Sequence, residues 1–260
     1  MIKLIVCGAC GKMGERILSL AMKDKKFEIV AAVEKKGHPE IGKPVPGSNL
    51  VITDSIGKII NKSDVLIDFT SPETSLLNGK LAAKNNKSIV IGTTGFSQDE
   101  LARLKGMLKP VSAVISPNMS FGVNLLFNLV KKTAKTVPDY DIEIIEMHHN
   151  QKKDSPSGTA NKLGEIITAE LNRDLNKVGV YGRKGIIGAR TKNEIGILSV
   201  RAGDIVGEHT VIFAGPGERI ELTHRAHSRD TLAVGALHAA KWAVKQPPGI
   251  YSMDDVLGLK

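Results

Sequence analysis

Apolar and polar positions alternate in blocks that read as strand, helix, strand over the first 115 residues or so. Ile2 to Val6 is a short apolar run closed by glycine, the pattern of a parallel strand buried on both faces. Ile17, Leu18, Ala21 and Met22 recur at helical spacing, and Ile29 to Val33 forms a second strand ending at Glu34. Together they predict a βαβ unit. Gly37 to Asn49, with three glycines and three prolines, reads as loop. Val65 to Asp68 is a further buried strand, followed by Ser71 and Pro72 in the order of an N-cap and a first helical residue. Ser88 to Ile91 is a strand that stops at Gly92-Thr93-Thr94-Gly95. Ser97 and Glu100 then have the spacing of a capping box, and Val111 to Ile115 is the next strand.

After Pro117 the pattern changes. Val123 to Lys135 is an amphipathic helix. Asp141 to Met147 alternates as a strand, with Ile142, Ile144 and Met147 punctuated by Glu143 and Glu146. A polar segment, His148 to Ser157, leads into a helix over Gly158 to Leu171. Ile195 to Val200, Glu208 to Ala214 and Arg219 to Ala226 read as a β-meander with turns at Ala202-Gly203-Asp204 and Gly215-Pro216-Gly217. Arg229 to Val244 returns to an alanine-rich helix. The expectation is an α/β chain: a Rossmann-like doubly wound parallel sheet from residues 1–119 plus 229–260, and a second α+β domain, 120–228, carrying a mixed or antiparallel sheet for substrate binding and oligomerisation. No internal repeat or low-complexity tract is present.

A hydrophobic fraction of 42% supplies a real core, and aromatics at 4% leave it to Ile, Val, Leu and Ala. The formal net charge of +9 suits an anionic ligand. Lys and Arg are scattered, and aromatics are too few to interleave with them as base-stacking platforms, so small anions rank above nucleic acid. Cys7 and Cys10 have no second pair to complete a structural zinc site. They are expected to be structural, reduced thiols, and no metal site is expected. No stretch approaches about 18 consecutive apolar residues, so no membrane span is expected and a cytoplasmic location follows by default.

Three segments carry candidate chemistry. Gly8, Gly11 and Gly14 stand between a strand and a helix, where a dinucleotide fingerprint sits, although the common G-x-G-x-x-G spacing is absent. Glu34, at the end of the second strand, can accept hydrogen bonds from adenosine ribose hydroxyls. Lys35 beside it can attract a 2′-phosphate, so the two favour different nicotinamide cofactors. Gly92-Thr93-Thr94-Gly95 lies past the carboxyl end of a parallel strand, where ligands of open α/β sheets bind. The densest segment gathers His148, His149, Lys152, Lys153, Asp154, Ser157, Gly158 and Thr159. It offers proton-exchanging imidazoles, cations and the free N–H groups of a helix start, a site made for a carboxylate. His148 and His149 point to opposite sides of an extended chain, which argues against one metal ion taking both.

The chain resembles the dihydrodipicolinate reductase family in Gly8 to Gly14, Gly92 to Gly95, Glu146 to Thr159, Ser199 to Thr210 and His224 to Arg229. The resemblance spans nearly the whole chain. It implies NADH- or NADPH-dependent reduction of a cyclic unsaturated dicarboxylate, dihydrodipicolinate, formed from 4-hydroxy-tetrahydrodipicolinate on the route to lysine and diaminopimelate. It implies pyrophosphate contacts at Gly8, Ala9, Cys10, Gly11, Lys12 and Met13, ribose contact at Glu34, and Lys35 where relatives often carry a basic residue for NADP. Gly92, Thr93, Thr94, Ser116, Pro117, Asn118 and Met119 would line the nicotinamide side. His148 and Lys152 would be catalytic; His149, Gly158 and Thr159 would bind substrate; the assembly would be a homotetramer. One departure is Ser71, where some relatives have Arg. Two other readings compete: another NADP-dependent dehydrogenase of aspartate-derived metabolites, and a nicotinamide-sensing DNA-binding regulator. No nucleophilic Cys stands in the second half for acylating chemistry, and no helix-turn-helix is evident.

Overall fold

The structure is a computed structural model and describes residues 1–259. Along the chain, β1 (Ile2–Cys7), α1 (Lys12–Ala21), β2 (Phe27–Val33), β3 (Ile52–Thr53), α2 (Ile56–Ile59), β4 (Val65–Asp68), α3 (Pro72–Lys84), β5 (Ser88–Ile91), α4 (Gln98–Leu108) and β6 (Ser112–Ile115) come first. Then come α5 (Phe121–Thr136), β7 (Asp141–His148), α6 (Gly158–Glu170), α7 (Leu175–Val178), β8 (Gly179–Val180), β9 (Ile195–Arg201), β10 (Gly207–Gly215) and β11 (Glu218–Ala226). Finally α8 (Asp230–Ala243), β12 (Gly249–Tyr251) and α9 (Met253–Leu257) close the chain. Two compact units result: Met1–Phe121 with the segment from Asp230 onward, and Gly122–Arg229.

The first unit holds a seven-stranded sheet in the order β12-β6-β5-β4-β1-β2-β3, every pairing parallel. Its strands are apolar on both sides because helices cover both. Leu4, Val6, Ile67, Val90 and Val114 pack with Ile17 and Leu18 of α1 and the alanines of α8. Ile5, Leu66, Ile89 and Ile91 pack with Leu104 and Leu108 of α4. The caps match the sequence expectation: the Ser71 side chain accepts from Thr74 N–H, and Ser97 with Glu100 forms a capping box. The strand order reverses between β1 and β4, so the crevice at their carboxyl ends is the topological switch point.

The second unit holds a five-stranded mixed sheet, β11-β10-β7-β9-β8. β10 and β11 form a hairpin, but the three later strands are not a meander. β7 lies between β9 and β10, parallel to the first and antiparallel to the second. The connection at residues 202–206 steps past the end of β7 instead of turning back on β9. There Ala202 N–H donates to His148 C=O, and His149 N–H to Ile205 C=O. The face turned to α5 and α6 is the core face, with Ile142, Ile144, Ile195, Ile197, Val211 and Phe213 buried. Glu146 and His148 share that face of β7, and Met147 is on the other. No described helix is long and apolar enough to cross a membrane.

Candidate active site

In the first unit, β1 ends in a turn that only glycine permits. Gly8 has φ +78°, and a Cβ there would lie 2.7 Å from the Phe69 carbonyl oxygen. Gly14, in the first turn of α1, comes so close to β1 that a Cβ would lie 2.0 Å from the Gly8 oxygen. Gly11 is the N-cap and brings no side chain to the cap, and the first intrahelical bond is Glu15 N–H to Gly11 C=O. The N–H groups of Lys12, Met13 and Gly14 therefore stand at a helix start shaped for a pyrophosphate.

Gly8, Cys10, Gly11, Glu34 and Lys35 meet in one cavity of about 860 Å³ beside β1, β2 and α3. Glu34 is anchored: one carboxylate oxygen accepts from Cys10 N–H at 3.1 Å and the other from Lys35 N–H at 3.0 Å. Ser71 lines this cavity too, together with Lys36, Lys80 and Lys84, which the sequence alone did not mark. Lys80 and Lys84, one helical turn apart on α3, have the spacing that places both on one side of a helix. Cys7 is buried and Cys10 half-buried; burial first, then Asp68 and Glu34, push the Cys7 thiol well up, and burial with Glu34 raises Cys10. Both are thereby kept as thiols.

The other cofactor-side candidates follow β5 and β6. Gly92 lies under the Phe69 ring, where a Cβ would meet the ring at 2.2 Å. Thr93 turns its hydroxyl inward to the buried Asp68, which also accepts from the Thr70 hydroxyl at 2.6 Å, Ser75 at 3.1 Å and Asn78 at 2.9 Å. Burial raises the Asp68 pKa, and these hydrogen bonds oppose it. The network joins the end of β4, the start of α3 and the end of β5. Ser116 holds the Asn118 carbonyl at 2.7 Å, and Met119 is buried in the core with its own carbonyl against Gly235. Ala9 is buried as well. None of Thr93, Thr94 and Ser116 to Met119 lines the cavity that holds Glu34.

In the second unit the polar segment after β7 folds back on the sheet. His148 ends β7, with Nδ1 2.5 Å from Glu146. His149 Nε2 stands 3.3 Å from the Arg229 guanidinium. The Lys152 ammonium donates to both oxygens of Asp154, at 2.8 and 2.9 Å. Ser157 caps α6 by accepting from Ala160 N–H, its hydroxyl 3.0 Å from Nε2 of the buried His209. Gly158 is exposed and Thr159 half-buried at the start of that 13-residue helix.

Glu146, Arg201 and His209 were not read from the sequence as site residues. Arg201 forks onto Glu146 at 2.7 and 2.8 Å, and the His148 and His209 rings meet edge-on at 5.2 Å. Burial would raise the Glu146 pKa, but Arg201, Ser199 and His148 bring it to about 2. Burial lowers His148 despite the opposing pull of Glu146, and burial, reinforced by His148, lowers His209 to about 3. The signal was present: a charged or imidazole side chain on the core-facing register of a strand needs a partner. Among the described residues no cluster of His, Cys, Asp and Glu is arranged to hold a metal ion.

Comparison with known proteins gives the family. The model of the dihydrodipicolinate reductase N-terminus matches residues 2–119, and that of the C-terminus residues 122–257. The 4-hydroxy-tetrahydrodipicolinate reductase of Syntrophus aciditrophicus is 52% identical over 267 aligned residues, covering all of both chains. The enzyme of the same description from Trichlorobacter lovleyi is 51% identical, again over both full lengths. Among solved structures, a dipicolinate-bound dihydrodipicolinate reductase from Paenisporosarcina sp. TG-14 superposes with a TM-score of 0.79 at 28% identity, covering 97% of each chain. Matched in both halves and along its full length, the chain belongs to the dihydrodipicolinate reductase family, and its activity is the NAD(P)H-dependent reduction for which that family is named.

Proposed function

We propose that His148 and Lys152 carry the proton chemistry of this reduction, and that His149 with the α6 start at Gly158 and Thr159 holds the substrate. The observation that carries this reading is a single carboxylate, Glu146, that bonds both His148 Nδ1 and Ser157 N–H, fixing the imidazole and the helix start together. The substrate is a cyclic dicarboxylate with a conjugated C=C/C=N system. The nicotinamide supplies a hydride when bound. Reduction leaves negative charge on the ring that must take up a proton, and His148 Nε2 or the Lys152 ammonium delivers it. One substrate carboxylate sits at the start of α6 formed by Gly158 and Thr159, where the helix dipole favours an anion. Lys152 and His149 face the charge that remains. The dipicolinate found in the Paenisporosarcina relative is a planar dicarboxylate of this kind.

The fit of a dinucleotide rests on the Gly8–Gly14 cradle, which any Cβ would fill, and on the unpaired helix start above it. Gly8, Ala9, Cys10, Gly11, Lys12 and Met13 hold the pyrophosphate; Gly92 to Thr94 and Ser116 to Met119 serve the nicotinamide side chiefly through backbone. Glu34 takes ribose hydroxyls, and Lys35 faces a 2′-phosphate with Lys36, Lys80 and Lys84 in reserve. Where some relatives place Arg at position 71, this chain places its cations further along α3. Both NADH and NADPH are therefore used. The enzyme works in the cytoplasm as a homotetramer: Ile145, Met147, Leu198, Val200 and Ile212 share the sheet face opposite the helix-covered one. An assay of the wild type coupled to a synthase, with aspartate semialdehyde and pyruvate, reads the loss of nicotinamide absorbance. Unaltered turnover in both His148→Ala and Lys152→Ala would remove the assignment.

A further inference from the structure

β7 buries Ile142 and Ile144 and then, on the same face, Glu146 with no exposed surface. A lone carboxylate there would be strongly disfavoured, yet every side of this one is answered. Its Oε1 accepts from Arg201 at 2.7 Å and from Ser157 N–H at 3.1 Å; its Oε2 accepts from Arg201 at 2.8 Å and faces His148 Nδ1 at 2.5 Å. Three pieces of chain, β7, β9 and the start of α6, converge on one group.

The chemistry of that group decides which imidazole nitrogen works. An ionised carboxylate only accepts, so His148 Nδ1 must carry hydrogen in both its neutral and its protonated form. The proton exchanged with substrate then belongs to Nε2. A Cβ on Gly207 would lie 3.0 Å from Nε2 and 3.3 Å from Cδ2, so the missing side chain of Gly207 leaves that edge of the ring open. The charged and titratable groups facing His148 are Glu146 on its own strand, Arg201 on β9, His209 on β10 and Lys152 in the following turn.

We infer that Glu146, kept ionised by Arg201, is a positioning residue that commits His148 to proton exchange through Nε2 and holds that atom in register with the carboxylate-binding start of α6. In the protonated state Nε2–H gives its proton to the ring atom on which hydride transfer leaves the negative charge, and the imidazolium becomes neutral imidazole. Glu146 remains ionised throughout. The inference rests on the assignment of His148 above.

The test is a cycle of Glu146→Gln, His148→Asn and the double variant, with kcat and KM followed from pH 5 to 9. Glu146→Gln is expected to lower kcat at least about tenfold, as removal of an orienting partner does elsewhere. It should also move the His148 limb of the profile to lower pH, because the anion that favours the imidazolium is gone. In the His148→Asn background the same change should add less than about twofold. A limb that stays in place, or a loss that repeats in full on His148→Asn, overturns the positioning role. A His148→Asn enzyme with normal kcat instead overturns the assignment on which it rests. Should Glu146→Gln fail to fold, Gly207→Ala decides. It leaves the carboxylate and its partners in place and crowds Nε2, so kcat should fall at least about tenfold. A wild-type rate there removes Nε2 from the reaction.

Discussion

His209 should make the second unit lose stability in mild acid, by an amount that can be worked out in advance. It is 4% exposed, and its imidazole is held to a pKa of about 3 first by burial and then by the neighbouring His148. In the unfolded chain the same group titrates near 6.5. Between these values the unfolded state binds the proton and the folded state does not, so the stability is present above about pH 6.5 and drains away as pH falls. By linkage almost none of it is lost at pH 7 and about 2 kcal/mol is lost at pH 5. Glu146, held at about 2, has the opposite origin but the same direction: its contribution is present above about 4.5 and lost only as pH falls from there toward 2, outside this comparison. His148, His224 and His238 are also lowered by burial and add slope of the same sign, so wild type alone is not diagnostic. His209→Gln removes the titration and keeps an amide within reach of Ser157. Urea unfolding of both proteins at pH 7, 6 and 5, at one protein concentration, isolates the term as the change in their stability difference. The wild type should lose about 2 kcal/mol more than the variant between pH 7 and 5. Equal losses at unchanged m-value would refute the buried neutral imidazole.

Lys152→Ala is expected to lower kcat by ~10²–10⁴-fold, measured by nicotinamide absorbance; a raised KM with near-normal kcat would reassign Lys152 to carboxylate binding. Wild-type efficiencies with NADH and NADPH should agree within about tenfold, or ~1.4 kcal/mol, and a thousandfold preference would refute the balance between Glu34 and the lysines. Lys35→Ala, and Lys80→Ala with Lys84→Ala, should each raise KM for NADPH and not for NADH, more strongly at low salt, because exposed charges are screened. Light scattering at micromolar concentration should give the mass of four chains, and a monomer would remove the proposed sheet-face assembly.

The βαβ rhythm was legible because each strand of the parallel sheet is buried on both faces and so is apolar throughout. Ser88 to Ile91 and Val65 to Asp68 could be bounded to the residue on that ground alone. Caps were legible for the same local reason. β3, β8 and β12, with two or three residues each, carry too little pattern to register. The meander reading failed because consecutive strands are usually neighbours, and nothing local to residues 195–215 announces that β7 enters between them. On β7 itself Met147 was grouped with the buried isoleucines by its hydrophobicity. Strand period puts Glu146 there instead, and a polar residue in that register is the mark of a site. The Gly8–Gly14 turn and the His148–Thr159 segment are contiguous in sequence and so could be read there as candidates; Arg201, His209, Lys80 and Lys84 reach their places only through the fold.

The last thirty or so residues hold part of the first sheet's core. Leu4, Val6, Ile67, Val90 and Val114 lie against Ala233, Ala236, Ala239, Ala240 and Ala243, all on α8, and the edge strand β12 comes later still. A ribosome that has made residues 1–121 has therefore produced a half-dressed sheet, with α1 alone on one side. It must go on to residue 257 before α8, β12 and α9 exist. At about 5–20 residues per second that interval is roughly 7–27 s. Meanwhile the inserted unit, continuous in sequence, has everything it needs. Its core residues are all made before α8, whereas the nucleotide half still lacks the alanines that cover one face of its sheet, so a chain that stops before α8 leaves that face bare.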